Sequence, residues 1–333
     1  MAEEQAVRLP DTSKLIVSCS PHYHNTAENV PKIMALVLLA LVPAVISGVV
    51  FFGLRGVGVL AACCASCVLF EYLFSKWLKR PVSITDFSAL LTGLLLGMNL
   101  SAVTPWWVCV IGSLLAIGLG KMIYGGLGYN PFNPALIGRV GLLIAFPGYL
   151  TTWVAPTPGE LVADAVTTAT PLGELGTNHI AGTDYLAYFL GNIGGCIGET
   201  SALALLLGGA ALIGLKLIRW QVPVFYIGTV ALITGVVHAV SPETTANPGF
   251  HILTGGLMLG AFFMATDMVT SPMSNKGAII FGIGCGVVTS VIRIWGSYPE
   301  GVSFAILFMN AFTPLIDRVT ASKPFGFARP REA

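Results

Sequence analysis

Three threonine hydroxyls and one carboxylate lie close together in a polar segment of an otherwise apolar chain. The segment reads Asp164-Ala-Val-Thr167-Thr168-Ala169-Thr170-Pro171, and its proline restrains the backbone of the preceding residue. The pattern predicts an exposed, hydroxyl-rich turn whose oxygens could react or bind. The same residues also suit a polar loop or a threonine cap that begins a helix, and the residue types alone do not separate these interpretations.

Three further carboxylates, Glu71, Glu199 and Asp267, lie within or at the ends of apolar runs. An ionisable side chain inside a bilayer is costly, so each is a candidate for the path of a transported ion. Glu199 is the strongest candidate because it follows the glycine-rich stretch 191–198, where we expect a helix to break. Glu71 also suits an interfacial position, and Asp267 also suits a cap or an ion pair.

The composition requires lipid as the solvent of these groups. Of 333 residues, 55% are hydrophobic and 10% are charged, against about 25% charged in soluble domains. The net charge of +1 gives no electrostatic reason to expect a nucleic-acid partner. The polar first 30 residues do not resemble a cleavable signal peptide.

The cluster Cys63-Cys64-x-x-Cys67 lies in an apolar run and has no fourth ligand at motif spacing. We interpret it as small residues that pack in a membrane helix, and predict no metal site. A metal site would need a ligand from a distant helix or from another protein of a complex.

Runs of about 20 apolar residues can cross a bilayer, and ten are expected. They lie near 33–53, 57–75, 87–103, 106–121, 134–150, 186–215, 222–241, 251–267, 277–294 and 302–317. With both termini in the cytoplasm, all 17 Lys and Arg residues except Arg55, Arg139 and Arg293 fall inside, as the positive-inside rule favours.

This topology divides the chain into five parts. They are a cytoplasmic segment 1–32, a first membrane half 33–150, an external loop 151–185, a second membrane half 186–318 and a cytoplasmic tail 319–333. Leu91-Thr-Gly is echoed by Leu253-Thr-Gly, and Asn130-Pro-Phe-Asn-Pro134 by Asn310-Ala-Phe-Thr-Pro314. The echoes are five spans apart, which predicts an all-α polytopic protein of two inverted five-helix repeats with broken or re-entrant helices. The second echo precedes a span in one half and lies within a span in the other.

The hydroxyl-rich segment resembles the Asp-x-x-Ser/Thr-x-Ala-Thr sequence at which a flavin transferase joins FMN to threonine. Thr170 then takes the flavin through a phosphoester, with Asp164, Thr167 and Ala169 as recognition residues; Thr168 replaces the usual glycine. Nearly the whole chain is similar to the D-type membrane component of the Rnf complex, and more distantly to the B-type component of the sodium-pumping NADH:quinone reductase. The motifs are Ser20-Pro-His22, Ser88-Ala-Leu-Leu-Thr-Gly, Tyr124-Gly-Gly-Leu-Gly128, Asn130-Pro-Phe-Asn-Pro-Ala135, Leu257-Met-Leu-Gly-Ala-Phe-Phe263, Thr266-Asp267 and Tyr298-Pro-Glu-Gly301.

The resemblance implies a membrane subunit, not catalytic alone, of a ferredoxin:NAD⁺ oxidoreductase in the bacterial cytoplasmic (inner) membrane. Its covalent FMN would relay electrons and its fold would couple them to Na⁺ or H⁺ transport. The implied partners are the other Rnf membrane and iron–sulfur/flavin subunits, the FMN transferase and the bilayer. The family also holds a second, non-covalent flavin, riboflavin or FMN.

The segment 124–134 combines glycines, prolines, Asn130 and Asn133 at a membrane boundary. It could bring polar groups to a flavin or ion, or serve as a structural re-entrant turn. Lys121 and Arg139 flank it, and either could neutralise a flavin phosphate or a reduced ring. Lys121 could instead snorkel from a helix end.

The alternative to a redox subunit is a solute channel or transporter without a redox role, because inverted repeats and broken helices suit both. Covalent flavin on the external loop separates the two.

Overall fold

The computed structural model describes residues 29–158, 166–173, 184–242, 245–296, 298 and 300–321. Within them the chain is almost entirely helical. The helices are α1 (Val30–Trp77), α2 (Ser88–Met98), α3 (Trp106–Leu114), α4 (Pro134–Ala145), α5 (Pro147–Leu150), α6 (Tyr185–Leu190), α7 (Ala202–Gly214), α8 (Gln221–Val240), α9 (Pro248–Leu253), α10 (Leu257–Leu259), α11 (Asn275–Trp295) and α12 (Val302–Thr320). Two π-helical stretches, Leu115–Met122 and Gly260–Met264, extend α3 and α10.

Polar caps explain where several of these helices begin. Side chains of Asn29, Asn133, Asp184, Ser201 and Ser274 accept hydrogen bonds from backbone N–H groups in the first turn of the helix that follows. Each cap satisfies a donor that the helix itself leaves free. In lipid an unsatisfied donor is costly, so these residues fix the starting points of apolar helices.

Helix α1 is one continuous assignment of 48 residues, but Gly53 interrupts it with φ 59° and ψ −148°. A straight helix of that length would span roughly 72 Å, about twice the hydrocarbon thickness of a bilayer. The glycine, free of a Cβ penalty at positive φ, therefore separates two spans, as the runs 33–53 and 57–75 predicted.

In the part of the chain that the structure describes, four helices are long and apolar enough to cross a membrane: α1, α8, α11 and α12. Helices α2, α3 with its extension, α4 and α7 are shorter apolar helices. All ten predicted intervals contain helix, which confirms the all-α membrane class. The expected break in 186–215 is confirmed: residues 191–201 are non-helical between α6 and α7. Pro134 begins α4 whereas Pro314 lies inside α12, so the two members of the second echo differ in their position relative to the helix, which fits a repeat poorly.

Hydrogen bonds between loops show which loops share a face of the helix bundle. Arg80 donates to Met122 O at 3.2 Å, and Arg219 donates to Pro272 O at 2.6 Å; all four residues lie at or beside segments predicted to be cytoplasmic. Thr157 N donates to Phe51 O at 2.9 Å, which joins the predicted external loop to the kink of α1.

Candidate functional site

The hydroxyl-rich segment forms half of a small antiparallel hairpin. Strand β1 (Trp153–Val154) pairs with β2 (Thr167–Thr168), with Trp153 opposite Thr168. Thr167 is exposed, Thr168 is half-buried and Thr170 is 7% exposed. Gly173 N donates to Thr170 Oγ1 at 3.1 Å, so the hydroxyl acts as a cap for the turn at 171–173.

Thr170 lies in the wall of a cavity of about 310 Å³ between the hairpin and the helix bundle. Most of the wall surface is apolar, and seven polar side chains also reach the space. The apolar and aromatic residues are Leu143, Leu150, Trp153, Ala169, Tyr298 and Phe304; the polar ones are Asn99, Arg139, Thr151, Thr168, Thr170, Glu300 and Ser303.

Arg139 supplies positive charge to this cavity. Helix α4 carries it, and it is 6% exposed. Its guanidinium donates to Asn99 Oδ1 and to the Glu300 carboxylate. Nη1 also lies 3.6 Å from Glu199 Oε1, so a single buried cation faces two carboxylates and the cavity.

Glu199 reaches Arg139 because the break between α6 and α7 packs against the end of α2 and the residues that follow it. In the break between α6 and α7, Ile197 N donates to Leu100 O at 3.0 Å and Gly198 N donates to Met98 O at 2.7 Å. The Cys196 thiol donates to Asn99 O at 3.2 Å. These bonds satisfy backbone groups that both broken helices expose, which is the condition for irregular backbone inside a membrane.

Lys121 and Glu71 form a separate cluster rather than joining this cavity. Lys121 Nζ lies 2.8 Å from Glu71 Oε2 and 2.6 Å from Ser88 Oγ, while Ser83 Oγ donates to Glu71 Oε1 at 2.5 Å. Lys121 is 1% exposed and Glu71 is fully buried. Lys121 therefore pairs with a carboxylate in the protein interior and does not snorkel to the surface. The interfacial position of Glu71 stays a prediction.

Asn130, Asn133 and Asp267 line a small cavity of about 60 Å³ beside Lys121. Asn133 caps α4 and donates to Met264 O at 3.2 Å, which gives it a structural role. Asp267 accepts from Thr270 Oγ1 at 3.2 Å, in keeping with the cap alternative. The two members of the second echo contact each other here. Asn310 accepts a hydrogen bond from Asn133 N at 3.2 Å when its amide is oriented so that both of its polar atoms are bonded.

The structure thus brings Thr170, Ala169 and Arg139 together and leaves Lys121, Asn130 and Asn133 elsewhere. Asp164 lies outside the described residues. Glu300, Asn99 and Trp153 were missed as site residues. Glu300 belongs to the motif Tyr298-Pro-Glu-Gly301, which supported the resemblance to the family but was given no functional role. An acidic residue directly before an apolar helix was the available signal.

Comparison with known proteins places the chain in a family. The model of the NQR2, RnfD, RnfE family matches residues 16–326. The chain is 48% identical to the D component of the proton-translocating ferredoxin:NAD(+) oxidoreductase complex of Clostridium ljungdahlii, over 94% of this chain and 96% of the relative. It is 44% identical to the D component of the Na(+)-translocating ferredoxin:NAD(+) oxidoreductase complex of Acetobacterium woodii, over 95% and 96% respectively. It is 42% identical to the D component of the ion-translocating oxidoreductase complex of Stutzerimonas stutzeri, over 90% and 92%. The chain therefore belongs to the NQR2, RnfD, RnfE family, and these relatives are D subunits of ion-translocating oxidoreductase complexes.

Proposed function

We propose that this chain is the membrane subunit of an ion-translocating ferredoxin:NAD⁺ oxidoreductase and carries FMN on Thr170 through a phosphoester. The observation that supports this proposal most directly is that Thr170 and Arg139 line the same cavity. A volume of about 310 Å³ is near the lower end for small-molecule sites, about 300 Å³. Mainly apolar walls with a few converging polar groups suit a planar aromatic ring.

Each residue has a distinct part in this proposal. FMN, when bound, supplies one-electron transfer. Thr170 Oγ1 provides the oxygen of the linkage, and the Arg139 guanidinium offsets negative charge that enters the cavity. Trp153, Tyr298 and Phe304 supply aromatic surface and limit water, and Asn99 keeps the guanidinium in place.

The burial of Thr170 constrains how the flavin is attached. A transferase must reach the hydroxyl of a residue that is 7% exposed, and this hydroxyl already accepts a hydrogen bond from Gly173 N. Attachment therefore precedes docking of the 167–173 segment or requires its release. The partners in this proposal are the FMN transferase, the other Rnf subunits and lipid. The setting is the bacterial inner membrane, with both termini in the cytoplasm and the hairpin outside. A second, non-covalent flavin remains part of the proposal, without an assigned cavity.

Covalent flavin is tested on a denaturing gel under ultraviolet light after co-expression with an active flavin transferase. The wild type and Thr168→Val should give a fluorescent band, and Thr170→Val should be dark because it keeps the side-chain shape but lacks the oxygen. Thr170→Ser should retain a band. Thr167→Val should affect the band less than Thr170→Val, because Thr167 does not stand at the terminal position of the motif.

Two results would overturn this assignment. A bright Thr170→Val band with a dark Thr168→Val band would move the linkage to Thr168. A dark wild type would remove the redox proposal and favour the solute transporter, which the meeting of broken helices also suits.

A further inference from the structure

Four charged side chains surround the break between α9 and α10. Arg139 contacts Glu300 on one side and lies 3.6 Å from Glu199. Arg293 lies across the break and donates to His251 O at 2.5 Å and Thr254 O at 3.2 Å. Two guanidiniums and two carboxylates give the cluster a formal charge of zero.

The glycines of this break hold Glu199 and Arg293 close to its backbone. A Cβ at Gly256 would lie 2.7 Å from Glu199 Oε1, and one at Gly255 would lie 2.8 Å from Arg293 Nη2. Both charged groups therefore pack closely against the backbone of this break. Gly255 has φ +70°, a conformation that glycine adopts without strain.

One oxygen in this balanced cluster has no hydrogen bond. Among the described residues, nothing donates to Glu199 Oε1, although Glu199 is 4% exposed. The Arg139 guanidinium directs its hydrogen bonds to Asn99 and Glu300 instead. A buried carboxylate oxygen without a donor is costly, so this position favours an added proton or small cation.

The ligand chemistry also favours a small cation here. One ligand atom each from Cys196, Glu199 and Glu300 lies within 4.8 Å of the others. Glu300 is the less suitable acceptor, because Arg139 already bonds it and its side chain is 13% exposed against 2% for Glu199. Glu199 Oε1 is therefore the position at which one positive charge can be added.

We propose that Glu199 takes up one coupling cation, H⁺ or Na⁺, for each electron that enters the Thr170 cavity, and that Arg139 is the positioning residue that links the two events. The inference rests on the proposed function, which supplies the electron from reduced ferredoxin through partner subunits. The phosphodiester of the bound FMN would contribute a constant negative charge beside this cluster. Each electron adds one further negative charge in a low-dielectric setting, and one monovalent cation restores the previous balance.

The charges balance in both directions of this step. The electron attracts the Arg139 guanidinium toward the cavity, which weakens its attraction to Glu199. A proton then forms an O–H bond at Oε1, or Na⁺ is coordinated there. When the electron leaves for the next acceptor, the Arg139 guanidinium moves back toward Glu199 and interacts with its carboxylate again. The cation is then released. Cys196, Arg139, Arg293 and Glu300 are the titratable or charged groups that face Glu199.

The test is a potentiometric titration of the covalent flavin in the intact complex, assigned by its difference spectrum against the Thr170→Val complex. Potentials are measured over a pH series without Na⁺ and over a NaCl series at fixed pH, with choline chloride replacing NaCl. One cation per electron gives a slope of about 59 mV per tenfold change in cation concentration. The series that shows the slope identifies H⁺ or Na⁺.

Glu199→Gln should lose more than half of that slope, whereas Glu199→Asp, which keeps a carboxylate, should retain it. Asp184→Asn is the matched control, since it removes an exposed carboxylate and asparagine also caps α6. Arg139→Gln should reduce the slope without removing the flavin band. An unchanged slope in Glu199→Gln, or a loss of slope in both Glu199 variants, would overturn the inference. Absence of the flavin itself would instead refute the proposed function.

Discussion

The buried pair of Lys121 and Glu71 makes a quantitative prediction about stability. Their charged atoms are 2.8 Å apart, and the side chains are 2% and 0% exposed. At an effective dielectric constant of about 20, two unit charges at this 2.8 Å separation attract by about 6 kcal/mol. Desolvation of both ions opposes that attraction, and the hydroxyls of Ser83 and Ser88 offset part of the cost.

The prediction separates the single variants from the double variant. Glu71→Leu or Lys121→Met alone leaves one buried charge unpaired and should lower the free energy of unfolding by about 3–5 kcal/mol. Glu71→Leu/Lys121→Met removes both charges and should return stability close to that of the wild type. The hydroxyls of Ser83 and Ser88 lose their charged partners in the double variant. We therefore expect its free energy of unfolding to stay slightly below that of the wild type.

The assay is a thermal unfolding series in detergent, with the midpoint followed by a thiol-reactive dye, combined with the ultraviolet gel. Each single variant should unfold several degrees below the wild type, and the double variant within a degree or two of it. The flavin band should persist in the double variant, because Lys121 does not line the Thr170 cavity. Additive losses in the double variant would refute the pairing argument, and loss of the band would return Lys121 to the flavin site.

Three further predictions concern topology, a helix cap and the glycine beside Glu199. In a cysteine-free background, Thr152→Cys should react with an impermeant reagent in intact cells and Lys79→Cys only after membrane disruption; the reverse pattern would invert the proposed orientation. Asn133→Ala loses the α4 cap and the bond to Met264 O, and should cost about 2 kcal/mol in detergent unfolding. Gly256→Ala places a Cβ 2.7 Å from Glu199 Oε1 and should weaken the cation dependence of the flavin potential. Gly228→Ala, which meets nothing within 4 Å, should leave that dependence unchanged.

The helical framework could be predicted because its causes are local in the sequence. Runs of apolar residues must become helices in lipid, since the backbone has no other partner there. The glycine-rich stretch 191–198 predicted the break before α7 for the same reason. The short helices α9 and α10 were not predicted, although the pair Gly255-Gly256 in the interval 251–267 marks the place where the chain loses helical geometry.

The candidate site was predicted only in part, because its contacts join distant residues. Thr170 was identified by a local motif, but its burial depends on the pairing of Trp153 with Thr168. Arg139 and Glu300 are separated by 161 positions, and spacing alone gives no reason to join them. Arg139 was instead grouped with Lys121, since both flank the segment 124–134. Their different partners became visible only in three dimensions.

The two basic residues differ in how completely their charges are compensated, and this difference separates structure from function. Lys121 has one carboxylate partner at hydrogen-bond distance, and hydroxyls satisfy both members of that pair. Arg139 is shared by Glu300, Asn99 and, at a longer 3.6 Å, Glu199. A fully satisfied pair resists change, because any movement exposes a bare charge. The shared guanidinium of Arg139 can move toward an added negative charge, and the Glu199 carboxylate can then bind a different cation. For this reason the ion step is expected at Glu199 rather than at the more deeply buried Glu71.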